Sequence, residues 1–247
     1  MNRPRVVSLV PSLTETLHDL GAHLVGRTRF CIHPATLLGS VPVVGGTKQV
    51  DIPKILALKP DLVVANHEEN TRDMVEALQP HVPVLVTRIA TMKEALDTVT
   101  QLGEASHTAS RAQVVRNRLE DALTHLPQCP PARVAYFIWT DPWMTVGGDT
   151  FIHTMLGAVG LTNVFGDHCR YPVVTAEDVQ RARPDVLLFS SEPFPFNESH
   201  LAGWRTSLPD VPCLLVDGEA FSWYGTGLLR TFPYWAHLRE QVRLLYA

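Results

Sequence analysis

No CxxC pair and no regular cysteine spacing occur in this sequence. Its four cysteines, Cys31, Cys129, Cys169 and Cys213, are scattered, which excludes a disulfide-stapled scaffold and a zinc ribbon. Cys213 lies in an apolar run and reads as a small core residue. No block of like charge interrupts the chain, and the formal net charge is −4. A basic nucleic-acid surface and a charged tail are both excluded. No apolar run approaches the ~18 residues of a membrane-spanning helix, so no membrane insertion is expected. The glycines of Gly45-Gly46-Thr47-Lys48 lack the spacing of a phosphate-binding P-loop and read as a close-approach loop. The first strand begins at Arg5, which leaves no room for a signal peptide. The expectation is therefore a cytoplasmic protein if Met1 is the native start. It is a periplasmic or extracellular one if a signal has been trimmed.

What is present is a repeat. Residues 55–65 (ILALKPDLVVA) and 179–189 (VQRARPDVLLF) each join a helical tail to Pro-Asp and a solid apolar run. Each is followed by a second apolar segment, residues 82–88 (VPVLVTR) and 211–218 (VPCLLVDG). Each is preceded by an opener, residues 5–12 (RVVSLVPS) and 133–140 (RVAYFIWT). Matched elements in one order predict two α/β units of one design. Between them, residues 108–126 carry Ala112, Val115, Leu119, Ala122 and Leu126 on one stripe, with no Gly or Pro. That spacing predicts a single helix about 28 Å long. The chain is 247 residues, 45% hydrophobic and 19% charged, enough for two cored units. The fold class is α/β: two Rossmann-like lobes with parallel sheets, joined by one long backbone helix, with a ligand cleft between them. Boundaries fall at 1–105, 106–127 and 128–247.

Parallel α/β sheets bind ligands at the carboxyl ends of their strands, and the unusual residues lie there. The first lobe offers Ser12, Phe30, Cys31, His33, Asn66, His67 and Glu68; the second offers Trp139, Trp143, Asp149, Glu192, Phe221, Trp223 and Tyr224. Ser12 and Glu15 have the spacing of a capping box. Asp149 reads as the cap of the helix from Phe151, and the glycines before it as a possible anion cradle. Cys31 and His33 are metal-capable, though zinc needs three or four ligands. Trp139 and Trp143 suit either core or site. Trp223-Tyr224, in a loop before Gly225, suit a site better.

At these residues the chain resembles the substrate-binding proteins of bacterial ABC importers for cobalamin, iron–siderophores and haem, the helical-backbone class III. RVVSLVPSLTETLHDLGA (residues 5–22) and DIPKILALKPDLVVAN (residues 51–66) are similar to that family's opening blocks. CIHP, GGTK, NHEEN, DPWMTVGGDTFI and FSWYG look like a signal-less, cobalamin-binding-protein-like subgroup. The resemblance implies a non-enzymatic protein that requires no cofactor and binds cobalamin or a related metal chelate in the cleft. Its implied ligand residues are Phe30, Cys31, His33, Asn66, Trp139, Trp143, Trp223 and Tyr224, with His33 and Cys31 as metal contacts. It implies a small-molecule ligand, an ABC importer membrane subunit as partner, and little opening and closing. Thr47 and Asn66 stand where cobalamin binders carry aromatic walls, and Pro53 stands at the position of the glutamate that docks to the importer. Two alternatives remain open. One is a bare transition-metal binder using Cys31, His33, His67 and Glu68. The other is an enzyme with Cys31 as nucleophile and His33 as base.

Overall fold

The computed structural model describes residues 3–245. It divides into two compact units. The first holds the chain up to Ile89, Lys93–Leu123 and Trp223–Leu229; the second holds Ala90–Met92, Thr124–Ser222 and the chain from Arg230 onward. The helix predicted as a separate bridge is therefore grouped with the first unit, and a short late segment returns to it. Among the described residues no helix is long and apolar enough to cross a membrane.

The first unit runs β1 (Arg5–Ser8), α1 (Pro11–Asp19), β2 (His23–Arg27), a 3-10 turn (Ala35–Leu37), α2 (Ile52–Ala57), β3 (Leu62–Asn66), α3 (Arg72–Leu78), β4 (Val84–Thr87), α4 (Met92–Ala105) and α5 (Ala109–Thr124). Its sheet has the order β2-β1-β3-β4 and every pair is parallel. Continuous apolar runs form β1 and β3 because both faces are covered. Val7, Leu9, Val25, Val63, Ile55 and Leu78 make a closed core. The helix predicted over residues 108–126 is α5, Ala109–Thr124, set off from α4 by a turn in which His107 is left-handed. Ala112, Val115 and Leu119 are its buried stripe. The Ser12–Glu15 capping box does not form. Pro11 takes the first helical turn and Val10 becomes the N-cap without a side-chain bond, which leaves Ser12 and Glu15 buried inside the helix.

The second unit runs β5 (Ala132–Trp139), β6 (Met144–Thr145), α6 (Phe151–Ala158), β7 (Leu161–Asn163), α7 (Ala176–Ala182), β8 (Val186–Ser190), α8 (Glu198–Ser207), β9 (Cys213–Val216), α9 (Gly218–Ser222), α10 (Gly227–Arg230) and α11 (Phe232–Leu244). The path is β6-β5-β8-β9, with β7 also on β5. All pairs are parallel except β5–β6, a short antiparallel edge that the expectation of parallel sheets did not include. Its core gathers Phe137, Phe189, Val179, Leu187, Leu201 and Trp204. Thr150 caps α6 by accepting from the His153 amide. Asp149 instead accepts the Arg170 amide at 2.5 Å, so it is not the cap.

The repeat extends to individual atoms. In the first unit the Arg5 amide donates to Asp61 Oδ2 at 2.8 Å, and the Arg5 guanidinium donates to the carbonyls of Leu58 and Lys59. In the second the Arg133 amide donates to Asp185 Oδ2 at 2.7 Å, and its guanidinium donates to the carbonyls of Ala182 and Arg183. Lys59 and Arg183, each just before Pro-Asp, are both left-handed. The Pro-Asp motif is thus a latch that fixes where two neighbouring strands begin. Asp61→Ala and Asp185→Ala should each cost about 0.5–1.5 kcal/mol, the net worth of one such bond. Urea unfolding of the single and double variants checks this. A double variant as stable as the wild type would remove the latch.

Candidate functional site

In the first unit the residues after β2 and β3 surround the strand carboxyl ends. The turn after β3 is a closed hydrogen-bond system. Asn66 Oδ1 accepts from the Glu68 amide at 2.8 Å and its Nδ2 donates to Thr87 Oγ1 at 3.0 Å. The Asn66 amide donates to Asn70 Oδ1, and Asn70 Nδ2 donates to the Thr47 carbonyl at 2.8 Å. Asn66 is buried, so its amide shapes the turn and leaves His67 exposed and Glu68 half-buried.

The loop after β2 presents a different set. Phe30 is 48% exposed, with the Arg29 guanidinium 5.0 Å from its ring centroid. Cys31 is fully buried. Its sulfur lies 3.0 Å from Thr14 Oγ1 and 3.1 Å from Thr28 Oγ1. Burial pushes the thiol pKa up, and the two hydroxyls and Arg27 only partly oppose it. The sulfur therefore stays protonated at neutral pH and is walled off, which suits neither a nucleophile nor a metal ligand. His33 is half-buried and meets Trp223 edge-on, ring centroids 5.1 Å apart at 73°. Among the described residues no group of three or more His, Cys, Asp or Glu side chains is gathered to hold a metal ion. Cys31, His33, His67 and Glu68 do not assemble as the bare-metal alternative requires.

Trp223 reaches His33 because Trp223–Leu229 lies on α1. The Thr226 amide donates to Thr16 Oγ1 at 3.2 Å. Gly225 has φ +75°, and a Cβ there would meet Thr16 Oγ1 well under 3.0 Å. Trp223 and Tyr224 are both only 6% exposed. Both rings are largely withdrawn from solvent before any ligand arrives.

In the second unit Trp139 ends β5 and is 41% exposed. It meets Phe194 edge-on at 5.6 Å, and Phe194 continues to Phe196 at 4.7 Å. Trp143 stacks on Phe196 at 5.8 Å and 6°. It also meets Phe137 and Trp204 edge-on, which joins it to the core. Phe194, absent from the sequence-derived set, is the partner that orients Trp139. The available signal was the alternation of Pro193, Phe194, Pro195 and Phe196 straight after a strand. Below this surface the Tyr136 hydroxyl donates to Ser190 Oγ at 3.1 Å, and Ser222 Oγ donates to Glu192 Oε1. Burial holds the Tyr136 pKa well above its usual value, so it remains a neutral donor.

A groove of about 730 Å³ lies at the opposite, amino ends of the first unit's strands, lined by Arg3, Arg5, His23, Asp61 and His107 among others. Arg5 and Asp61 are committed there to the latch. Pro53, in the first turn of α2, is exposed.

The thiols give a direct check on burial. Cys169 is exposed, Cys213 half-buried, and Cys129 buried with its pKa pushed up to about 11. A thiol reagent at neutral pH should modify Cys169 in minutes and Cys31 and Cys129 only after unfolding. Peptide mapping that finds Cys31 labelled as fast as Cys169 would contradict its placement.

A family model described as periplasmic binding protein matches residues 6–207. The chain belongs to the periplasmic binding protein family. The vitamin B12-binding protein of Vibrio parahaemolyticus is 28% identical over 213 residues, 83% of this chain and 77% of that protein. That of Pectobacterium atrosepticum is 25% identical over 238 residues, 91% and 84%. Two solved structures share the fold. The periplasmic vitamin B12 binding protein BtuF of Vibrio cholerae has a TM-score of 0.79 at 22% identity and 98% coverage of both chains. The periplasmic heme binding protein HutB of Vibrio cholerae has 0.79 at 21%, covering 95% of this chain and 98% of its own. Members of this family are binding proteins, so the chain is read as a carrier rather than a catalyst.

Proposed function

We propose that the chain binds cobalamin or a related metal chelate, haem included, at the strand carboxyl ends, as the cargo-binding component of an ABC importer. The observation that carries this is an exposed aromatic at the strand carboxyl ends of each unit, Phe30 at 48% in the first and Trp139 at 41% in the second. A macrocycle offers a broad apolar face, and aromatic rings cover it at low entropic cost. A bare ion has no use for such area. The relatives named for vitamin B12 support the corrin, and the fold shared with a heme binding protein keeps haem beside it. Phe30 and His33 are the residues of the first unit proposed to touch the ligand, with Trp223 behind His33; in the second unit the corresponding candidate is Trp139. Asn66 and Cys31 act beneath the surface by shaping it. His33 is the proposed axial contact to the chelated metal. Such a carrier works where an importer collects cargo, outside the inner membrane.

The test is titration of tryptophan fluorescence with cyanocobalamin, cobinamide and hemin, with divalent metals alone as the contrast. Quenching at micromolar chelate is expected, and a His33→Gln change in the bound chelate's visible spectrum. Silence with all three chelates at micromolar concentration would overturn this reading.

A further inference from the structure

The chain between Thr28 and Val41 forms no strand and only one turn of helix, yet it carries Phe30 and His33. Something must hold it. Its own apolar anchors are few: Cys31, Leu37 and Val41 are buried, while Phe30, Ile32 and Leu38 are exposed. The main-chain fastening comes from Arg27, the last residue of β2, which is only 4% exposed.

Arg27 grips the loop at both ends. Nη1 donates to the carbonyls of Thr28 at 3.1 Å and Cys31 at 3.3 Å, and Nη2 donates to the Leu38 carbonyl at 3.1 Å. Its amide donates to the Pro42 carbonyl at 3.0 Å, and its own carbonyl accepts from the Val44 amide at 2.8 Å. Among the described residues Nε has no hydrogen-bond partner. A buried guanidinium is costly to desolvate. Here its bonds run to main-chain carbonyls of one loop and not to a carboxylate. Only a planar fork with several fixed N–H groups spans carbonyls so placed; a lysine ammonium is a point donor.

We propose that Arg27 is a positioning residue of the ligand site: acting through residues 28–41, it sets the attitude of Phe30 and His33, including the edge contact of His33 with Trp223. The affinity half of this statement rests on the chelate reading; the geometric half does not.

The test compares Arg27→Lys and Arg27→Met with the wild type. The readout specific to positioning is the NMR signal of the His33 ring, displaced by the Trp223 ring current and assigned with His33→Gln. Both variants are expected to fold and to move that signal toward the position of a solvated imidazole. Affinity for hemin and cobinamide should fall tenfold or more in both, although Lys keeps the charge. An unmoved His33 signal with unchanged affinity per folded molecule overturns the proposal, whatever the loss of thermal stability. If Arg27→Met does not fold, Arg27→Lys decides. If neither folds, Arg27 is a structural residue and the proposal is wrong. If the wild type binds neither probe, the chelate reading fails, and the His33 signal still decides Arg27.

Discussion

Gly225→Ala should destabilise the protein by about 2–5 kcal/mol. Two costs add. A left-handed conformation for an L side chain costs about 1–2 kcal/mol, and Gly225 has φ +75°. Overpacking a filled site costs about 1–3 kcal/mol more, and the added Cβ would overlap Thr16 Oγ1 and crowd its Cβ. Thr16 has little room to yield, because its hydroxyl donates to the Ser12 carbonyl at 2.9 Å and accepts from the Thr226 amide. The double variant Gly225→Ala/Thr16→Ala should recover the overlap but not the backbone strain, so it should unfold between the single variant and the wild type. Urea unfolding measures both. A Gly225→Ala protein within about 0.5 kcal/mol of wild type, the range of an ordinary surface change, would show that Trp223–Leu229 is not seated on α1.

That segment also marks where reading the sequence stops working. The strands were legible because parallel strands covered on both faces must be continuous apolar runs, and Val63–Val64 and Val186–Leu187 obey that rule. The repeated Pro-Asp was legible too, and its cause is now explicit in the Arg5–Asp61 and Arg133–Asp185 latches. Helix α8 was missed: its Gly203 and polar face weaken the periodicity, and its helicity depends on Leu201 and Trp204 entering the core. The membership of Trp223–Leu229 in the first unit comes from contacts more than two hundred positions apart in sequence, such as Thr226 to Thr16, and no local pattern encodes them.

The site was legible by residue type but not by role. Cys31 and His33 are two positions apart on one loop, and sequence treats them as equals. Burial separates them: Cys31 turns in between Thr14 and Thr28, while His33 stays at the surface against Trp223. Asn66 likewise reads as an exposed polar residue past a strand, yet it is spent on the turn. Arg27 carries no such signal in the sequence, since an arginine at a strand end is usually solvated and its burial is a property of the folded loop.

Trp139→Ala and Trp143→Ala should separate ligand contact from core, and in opposite directions. Trp139 is 41% exposed and leans on Phe194, so truncation leaves little cavity and stability should change by under about 1 kcal/mol. If the ring covers the face of the chelate, affinity should drop by about 1–3 kcal/mol, roughly 5- to 150-fold, the loss of an aromatic anchor. Trp143 is wedged among Phe137, Phe189, Phe196 and Trp204. Its truncation should cost about 3 kcal/mol of stability, as for other large aromatics removed from cores, while the molecules that remain folded bind nearly as before. Chelate titrations and unfolding curves on the two variants give a two-by-two comparison. A Trp139→Ala protein with wild-type affinity and a Trp143→Ala protein with weakened affinity would move the ligand off the end of β5 and onto the Phe196 stack. Aromatic stacking on the chelate would survive that result; contact through Trp139 would not.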